Sequence, residues 1–335
     1  MDVQIKKESR CAVIGHGSWA TGIVKILTDC GERVGWYVRN PEVLASLREE
    51  GRNSRYLSDV DFDTQHIELS DDINKIVSDA DVIILAAPSA FLKSFLEGMN
   101  CSLDDKFVIS AIKGIIPGDY LTVTEYLNQH YQLPYDQIGI IGGPSHAEEI
   151  ALERLSYLTI ACKNLDNARV MSTKLATRYI RVTISNDIYG IEYATILKNI
   201  YALSVGIAVG LGYGDNFLAV LISNGAREMD RFLNESFPFP RDTHTSAFLG
   251  DLLVTAYSPF SRNRRFGLLI GKGIHIKVAL SELNGVSEGY YATESIRHVN
   301  LRHGIEMPIA QAIHEILYEG ASPARTMRNL TNKLI

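Results

Sequence analysis

Three groups of residues in this chain have types and spacing that can do chemistry. Gly15-His16-Gly17-Ser18-Trp19-Ala20 has the GxGxxA spacing of a dinucleotide-binding turn. Gly15 permits a tight turn, Gly17 lets backbone approach a pyrophosphate, and Ala20 lets the next helix pack close to a sheet. The phosphates would sit at a helix N-terminus, where free N–H groups and the helix dipole favour negative charge. About 20 residues further on, Val38-Arg39-Asn40 carries no acid for the ribose hydroxyls of NAD. Arg39 can accept a 2′-phosphate, which favours NADP and leaves NAD open. The other reading of Arg39 is a solvated surface side chain.

The second group is a pair of lysines. Lys113 follows an apolar run in Ser110-Ala111-Ile112-Lys113-Gly114, where it can hold an anionic or carbonyl substrate. Lys198 lies in a helical pattern with Ala194 and Ala202 four residues to either side, on an apolar face. Burial would lower its pKa and make it a general acid or base. A lysine whose stem is buried and whose head snorkels to water fits the same pattern. Gly142-Gly143-Pro144-Ser145 follows another apolar run and by itself reads as a turn. The third group is Ser261-Arg262-Asn263-Arg264-Arg265, preceded by Gly250-Asp251-Leu252. Three arginines in four residues form a donor cluster for phosphate. A solvated charged loop also describes Arg264 and Arg265, but suits Arg262 less well.

These residues need elements to position them. Short apolar runs at 11–14, 34–38, 81–87, 107–110 and 138–141 suit strands buried on both faces of a parallel sheet. Helical stretches such as 21–30 and 42–50 alternate with them, which argues for a doubly wound α/β domain. Beyond about residue 187, helical patterns dominate: 191–209, 216–234, 245–256 and 309–319. The expected organisation is α/β: an N-terminal Rossmann-like doubly wound sheet over 1–187, then an all-α C-terminal domain over 188–335. Gly206, Gly210 and Gly214 recur at helical spacing and would permit close backbone approach.

Composition narrows the function classes. The 335 residues are 46% hydrophobic and 21% charged, which excludes a disordered chain. Lys plus Arg is 33 against 39 Asp plus Glu, a net −6, which disfavours nucleic acid as a partner. Cys11, Cys30, Cys101 and Cys162 show no metal-site or disulfide spacing, so no metal is expected and reduced thiols in the cytoplasm are. The longest uncharged stretch, 199–214, holds four glycines and is short of the roughly 20 residues a span needs, so membrane insertion is not expected.

Taken together, the sequence resembles bacterial-type NAD(P)-dependent glycerol-3-phosphate dehydrogenases. The matching pieces are Gly15-His16-Gly17-Ser18-Trp19, Ala87-Pro88-Ser89, Lys113-Gly114, Gly143-Pro144-Ser145-His146-Ala147-Glu148-Glu149, Leu197-Lys198-Asn199, residues 212–216, Gly250-Asp251-Leu252, residues 258–267 and Ser287-Glu288-Gly289. They run in the family's order over nearly the whole chain. The resemblance implies reversible reduction of dihydroxyacetone phosphate to sn-glycerol 3-phosphate, with NADP or NAD as cofactor, feeding phospholipid synthesis in a homodimer. It implies that Gly15, Gly17, Ser18, Trp19, Arg39 and Ala147 touch the cofactor, and that Val286 and Glu288 close over it. It also implies that Lys113 meets cofactor and substrate, that Lys198 is the proton donor and acceptor, and that Gly143 and Ser145 touch substrate. Asp251, Ser261, Arg262 and Asn263 would bind substrate, with Arg262 also near the cofactor. Four departures bear on kinetics and cofactor preference: Ala20 for a third glycine, His16 for a small residue, His146 for Phe, and Tyr193-Ala194-Thr195 for a Gly-rich stretch.

Overall fold

The computed structural model describes residues 3–283 and 285–335. Ten strands occur among them: β1 (Cys11–Ile14), β2 (Val34–Tyr37), β3 (Ile67–Ser70), β4 (Val82–Leu85), β5 (Phe107–Ser110), β6 (Ile115–Ile116), β7 (Leu121–Thr122), β8 (Ile138–Gly142), β9 (Ser156–Cys162) and β10 (Ile180–Ser185). The chain divides into two compact units. One holds Met1–Ile112 with Val123–Ile188, and the other holds Lys113–Thr122 with Tyr189–Ile335.

The first unit is built on an eight-stranded sheet, in the order β10-β9-β8-β5-β4-β1-β2-β3. All neighbours are parallel except β8 and β9, which are antiparallel. Every residue of β1, β2, β4 and β5 is buried, as continuous apolar runs in a sheet covered on both faces require. The strand order reverses at β1, which lies between β2 and β4. Ligands of open α/β sheets bind outside the carboxyl end of such a switch point, and Gly15 is the first residue beyond β1. The sequence reading lacked β3, β9 and β10. β3 and β10 are edge strands whose polar and apolar residues mix, so they carry no continuous apolar run.

The second unit differs from the expected all-α domain in one respect. β6 and β7 form a small antiparallel ladder, Ile115 opposite Thr122 and Ile116 opposite Leu121. Its turn holds Gly118 at φ +84° and Tyr120 at φ +55°. The apolar pair Ile115–Ile116 is buried and packs on the helix Glu288–His303. A division at 187 assigns residues 113–122 to the first domain; in the structure this segment clusters with the second unit.

Helices make up the rest of this unit: Ile188–Gly210, Asp215–Ser236, a π turn Ser246–Gly250 running into Asp251–Tyr257, Arg262–Gly271, Ile276–Ser281, Glu288–His303, Pro308–Tyr318 and Pro323–Thr331. The helix Ile188–Gly210 is long and apolar enough to cross a membrane, but 89% of its most apolar window is buried inside the protein. It crosses the helix Arg262–Gly271 with glycine on both sides. A methyl group on Gly206 would overlap the Arg264 carbonyl, and one on Gly267 would overlap the Leu203 carbonyl. Gly210 and Gly271 meet the facing backbone in the same way. Gly214 is not part of this crossing. It is the N-cap of the helix Asp215–Ser236, and a side chain there would meet nothing.

Buried Glu228 accepts from Ile309 N (2.8 Å) and Ala310 N (2.9 Å), capping the helix Pro308–Tyr318. Burial pushes its carboxyl up to about 7, against the pull of those two N–H groups.

Candidate active site

In the first unit the Gly15 turn is sterically specified. Gly15 has φ +128°, and a Cβ there would lie 2.7 Å from the Ala86 carbonyl oxygen. Trp36 Nε1 donates to the Gly15 carbonyl (2.7 Å), locking the turn from below. Gly17 is the N-cap of the helix Ser18–Asp29, and a Cβ there would meet nothing within 4 Å. That helix has no side-chain cap bond and no acid in its first turn. Its dipole is not countered by an acid there, so the N-terminus favours an anion, which fits a dinucleotide pyrophosphate. Trp19 packs at the edge of the hydrophobic core, and Gly22, one turn on, lies close to Trp19 and to Ala147 of the helix Ala147–Ala151. His16 is held down to about 4 by burial and then by Arg39 and Arg55, so it is neutral at pH 7 and adds no charge to the turn. Arg39 donates to the Ser94 carbonyl (2.9 Å) and lies 4.2 Å from the centre of the Phe95 ring.

Gly143 and Ser145, also in the first unit, follow β8. Gly143 has φ +99°, and a Cβ would fall 2.7 Å from the Tyr157 carbonyl oxygen. Ser145 Oγ donates back to the Gly143 carbonyl at 3.0 Å. The pair forms a rigid backbone turn.

In the second unit the two lysines converge on one carboxylate. Lys198 and Asp251 are buried, at 4% and 1% exposure, and form an ion pair through Asp251 Oδ1. Lys113 Nζ lies 3.8 Å from Asp251 Oδ2. Burial lowers the Lys198 ammonium to about 7; Asp251 raises it and Lys113 lowers it further. The snorkelling alternative for Lys198 therefore fails, since the head group is buried with its stem. Asp251 opens the helix Asp251–Tyr257 that follows the π turn.

A hydrogen-bonded relay runs beside this cluster. Asn199 Nδ2 donates to the Lys113 carbonyl (2.8 Å), and Asn263 Nδ2 donates to Asn199 Oδ1 (2.8 Å). Asn263 Oδ1 accepts from Ser287 Oγ and from Gly289 N, both at 2.9 Å. The relay ties the Lys113 segment, the Lys198 helix, the Arg262 helix and the start of the helix Glu288–His303 to one another. Tyr120 stacks on His298 at 3.9 Å and anchors the far end of the Lys113 segment. Asn199 stands next to Lys198 in the sequence, where no role for it is legible from spacing alone. The available signal was an amide in a largely apolar helical run, which must find partners once buried.

The arginine run is not a loop. Ser261 is the N-cap and accepts from Arg264 N, and Arg262 is the first residue of the helix Arg262–Gly271. No acid lies in that first turn. Three cations at a helix N-terminus oppose the dipole, at about 0.3–1 kcal/mol each when exposed, and an anion bound there would offset this. The Arg262 guanidinium is exposed and lies against Gly285, where a Cβ would overlap Nη1. Val286 and Glu288 follow directly, with Glu288 opening the helix Glu288–His303.

Two family models cover the chain: NAD-dependent glycerol-3-phosphate dehydrogenase N-terminus over residues 10–168, and the C-terminus of the same family over residues 187–328. The chain belongs to this family. The glycerol-3-phosphate dehydrogenase [NAD(P)+] of Oceanobacillus iheyensis is 34% identical over 97% of this chain and 94% of its own length. The Bacillus subtilis enzyme of that name is 34% identical over 96% of this chain and 93% of its own. The solved glycerol-3-phosphate dehydrogenase of Coxiella burnetii superposes with a TM-score of 0.89 at 27% identity, over 97% of this chain and 99% of that one. A D-mandelate dehydrogenase superposes at 0.59 with 16% identity, which is a likeness of fold alone. The glycerol-3-phosphate dehydrogenase family thus accounts for both units, as the sequence resemblance implied.

Proposed function

We propose that this chain catalyses the reversible NAD(P)H-dependent reduction of dihydroxyacetone phosphate to sn-glycerol 3-phosphate, supplying glycerophospholipid synthesis. The observation that carries this reading is the buried Lys198, paired with Asp251 and adjoined by Lys113, in a chain of this family. The reduced nicotinamide supplies the hydride when it is bound. Lys198, as ammonium, donates a proton to the oxygen developing at C2 and stabilises its charge. A group near 7 serves both directions, as acid in reduction and as base in oxidation. Asp251 holds Lys198 in place and keeps part of it protonated. Lys113 orients the carbonyl, with its backbone fixed by Asn199.

The Arg262 guanidinium and the N-terminus it opens bind the substrate phosphate, with Ser261 at the cap. Asn263, fixed by Asn199, Ser287 and Gly289, is a further substrate-binding candidate beside Arg262. In the first unit, the rigid turn of Gly143 and Ser145 is a further candidate for touching substrate. In the first unit, the Gly15–Trp19 turn, Arg39 and Ala147 hold the dinucleotide; in the second unit, Val286 and Glu288 are the cofactor candidates. Four free cysteines agree with a reducing cytoplasm, and a homodimer is the assembly proposed.

The test follows NADPH and NADH oxidation with dihydroxyacetone phosphate and with unphosphorylated hydroxy- and keto-acids. Turnover of the phosphorylated ketone alone supports the assignment; turnover of the unphosphorylated acids alone refutes it. Lys198→Ala abolishes turnover and leaves cofactor binding largely intact.

A further inference from the structure

We infer that Arg55 joins Arg39 in binding the 2′-phosphate of NADP, and that Glu42 is the internal anion which that phosphate displaces; this rests on the dinucleotide site proposed above. The end of β2 sets the frame. Asn40, where an acid would read the ribose hydroxyls of NAD, is occupied as the N-cap of the helix Pro41–Glu50, accepting from Val43 N. The Arg39 guanidinium is held by Ser94 on one edge and by the Phe95 ring on one face. A guanidinium has five N–H donors, so donors remain for an incoming anion.

Arg55 is tied to the glycine turn by one buried amide. Asn53 is fully buried, and its Nδ2 donates to the His16 carbonyl (3.0 Å) and to Thr21 Oγ1 (2.8 Å). Its Oδ1 accepts from Arg55 N (3.1 Å) and Tyr56 N (3.2 Å). The backbone of Arg55 is thus tied to the glycine turn. Its guanidinium forms an ion pair with Glu42, in the first turn of the helix that starts two residues after Arg39. Arg39 and Arg55 both repel a proton from His16, so two cations bear on one point of the turn.

The chemistry favours exchange. The Arg55–Glu42 pair is exposed, with side chains 51% and 72% accessible, and exposed pairs are weakly held. A 2′-phosphate offers more charge and a bidentate match to guanidinium. NAD offers no anion at this position, so Arg55 stays with Glu42. Discrimination then comes from the 2′-phosphate alone.

Calorimetric titration of NADP+, NAD+ and 2′,5′-ADP into the wild-type chain, Arg55→Gln and Glu42→Gln tests this. The expected result is about tenfold weaker binding of NADP+ and 2′,5′-ADP to Arg55→Gln, as for one charge-assisted hydrogen bond at an exposed site, with NAD+ unchanged. Glu42→Gln should bind NADP+ more tightly and NAD+ equally. The His16 imidazole, followed by NMR, should titrate higher in Arg55→Gln than in the wild type. Unaltered NADP+ binding by Arg55→Gln, or equal weakening of both dinucleotides, overturns the role of Arg55. Weaker NAD+ binding by Glu42→Gln means that Glu42 reads ribose hydroxyls, and overturns its role as displaced anion. A wild-type chain that binds neither dinucleotide overturns the dinucleotide reading along with this one.

Discussion

The Lys198 ammonium sits between a carboxylate that holds its proton and a lysine that expels it, so its titration can be moved in either direction. Asp251→Asn removes the nearest negative charge while keeping an amide of similar shape beside Lys198. Two unit charges about 4 Å apart at an effective dielectric near 20 interact by about 4 kcal/mol, or roughly 3 pKa units as an upper bound. Relaxation reduces this, and a shift of about 2 units would take Lys198 from about 7 to roughly 5. At pH 7 the protonated fraction would fall from about one half to about 1%, so reduction would slow by about 50-fold. Reduction needs the ammonium, so its kcat/KM declines as pH rises through this pKa, and the decline moves to lower pH. Oxidation needs the neutral amine, so its rising limb moves to lower pH as well. Lys113→Met removes a like charge and should move both limbs the other way, by about one unit, whatever it does to KM. The assay is the pH profile of kcat/KM in both directions for the three proteins. Limbs that stay near 7 in both variants, or move the same way in both, refute the electrostatic reasoning.

Glu228 gives a second pH signature, with the opposite bearing on stability. Its folded-state pKa is raised from 4.5 to about 7, so the folded chain holds a proton that the unfolded chain releases between those values. Stability from this group is full below about 4.5 and is lost as pH rises to about 7. The stability difference between wild type and Glu228→Gln, from denaturant melts, should shift against the wild type by up to about 3 kcal/mol over that range. A pH-independent difference would mean that Glu228 is ionised throughout. Gly206→Val should destabilise the second unit by about 1–3 kcal/mol or more, because its side chain meets the Arg264 carbonyl rather than a movable side chain. Gly214→Ala, with open space at its Cβ, should change the melting temperature little; equal effects at the two sites would contradict the packing described.

Features set by local rules were legible in the sequence. The Gly15 turn depends on a few residues of backbone conformation and a strand before it. The strands β1, β2, β4, β5 and β8 are continuous apolar runs, and only a doubly covered sheet needs those. Edge strands β3 and β10 lack that signal because one side of each carries no further strand. A solvated loop stayed open as the alternative for Arg264 and Arg265 because the first turn of Arg262–Gly271 is basic, whereas most helices place acids there.

The residue types alone therefore pointed to a dinucleotide turn, to two lysines suited to a carbonyl substrate, and to an arginine cluster suited to phosphate. Which of two states Lys198 occupies was left even by its pattern. Tertiary structure decided it, by burying the ammonium against Asp251, 53 residues away in the chain. It likewise decided that Lys113 packs with the second unit, through Asn199 and the Tyr120–His298 stack. Periodicity reports which face of an element is buried. The charge state of a buried group depends on what lies opposite that face, and only folding brings it there.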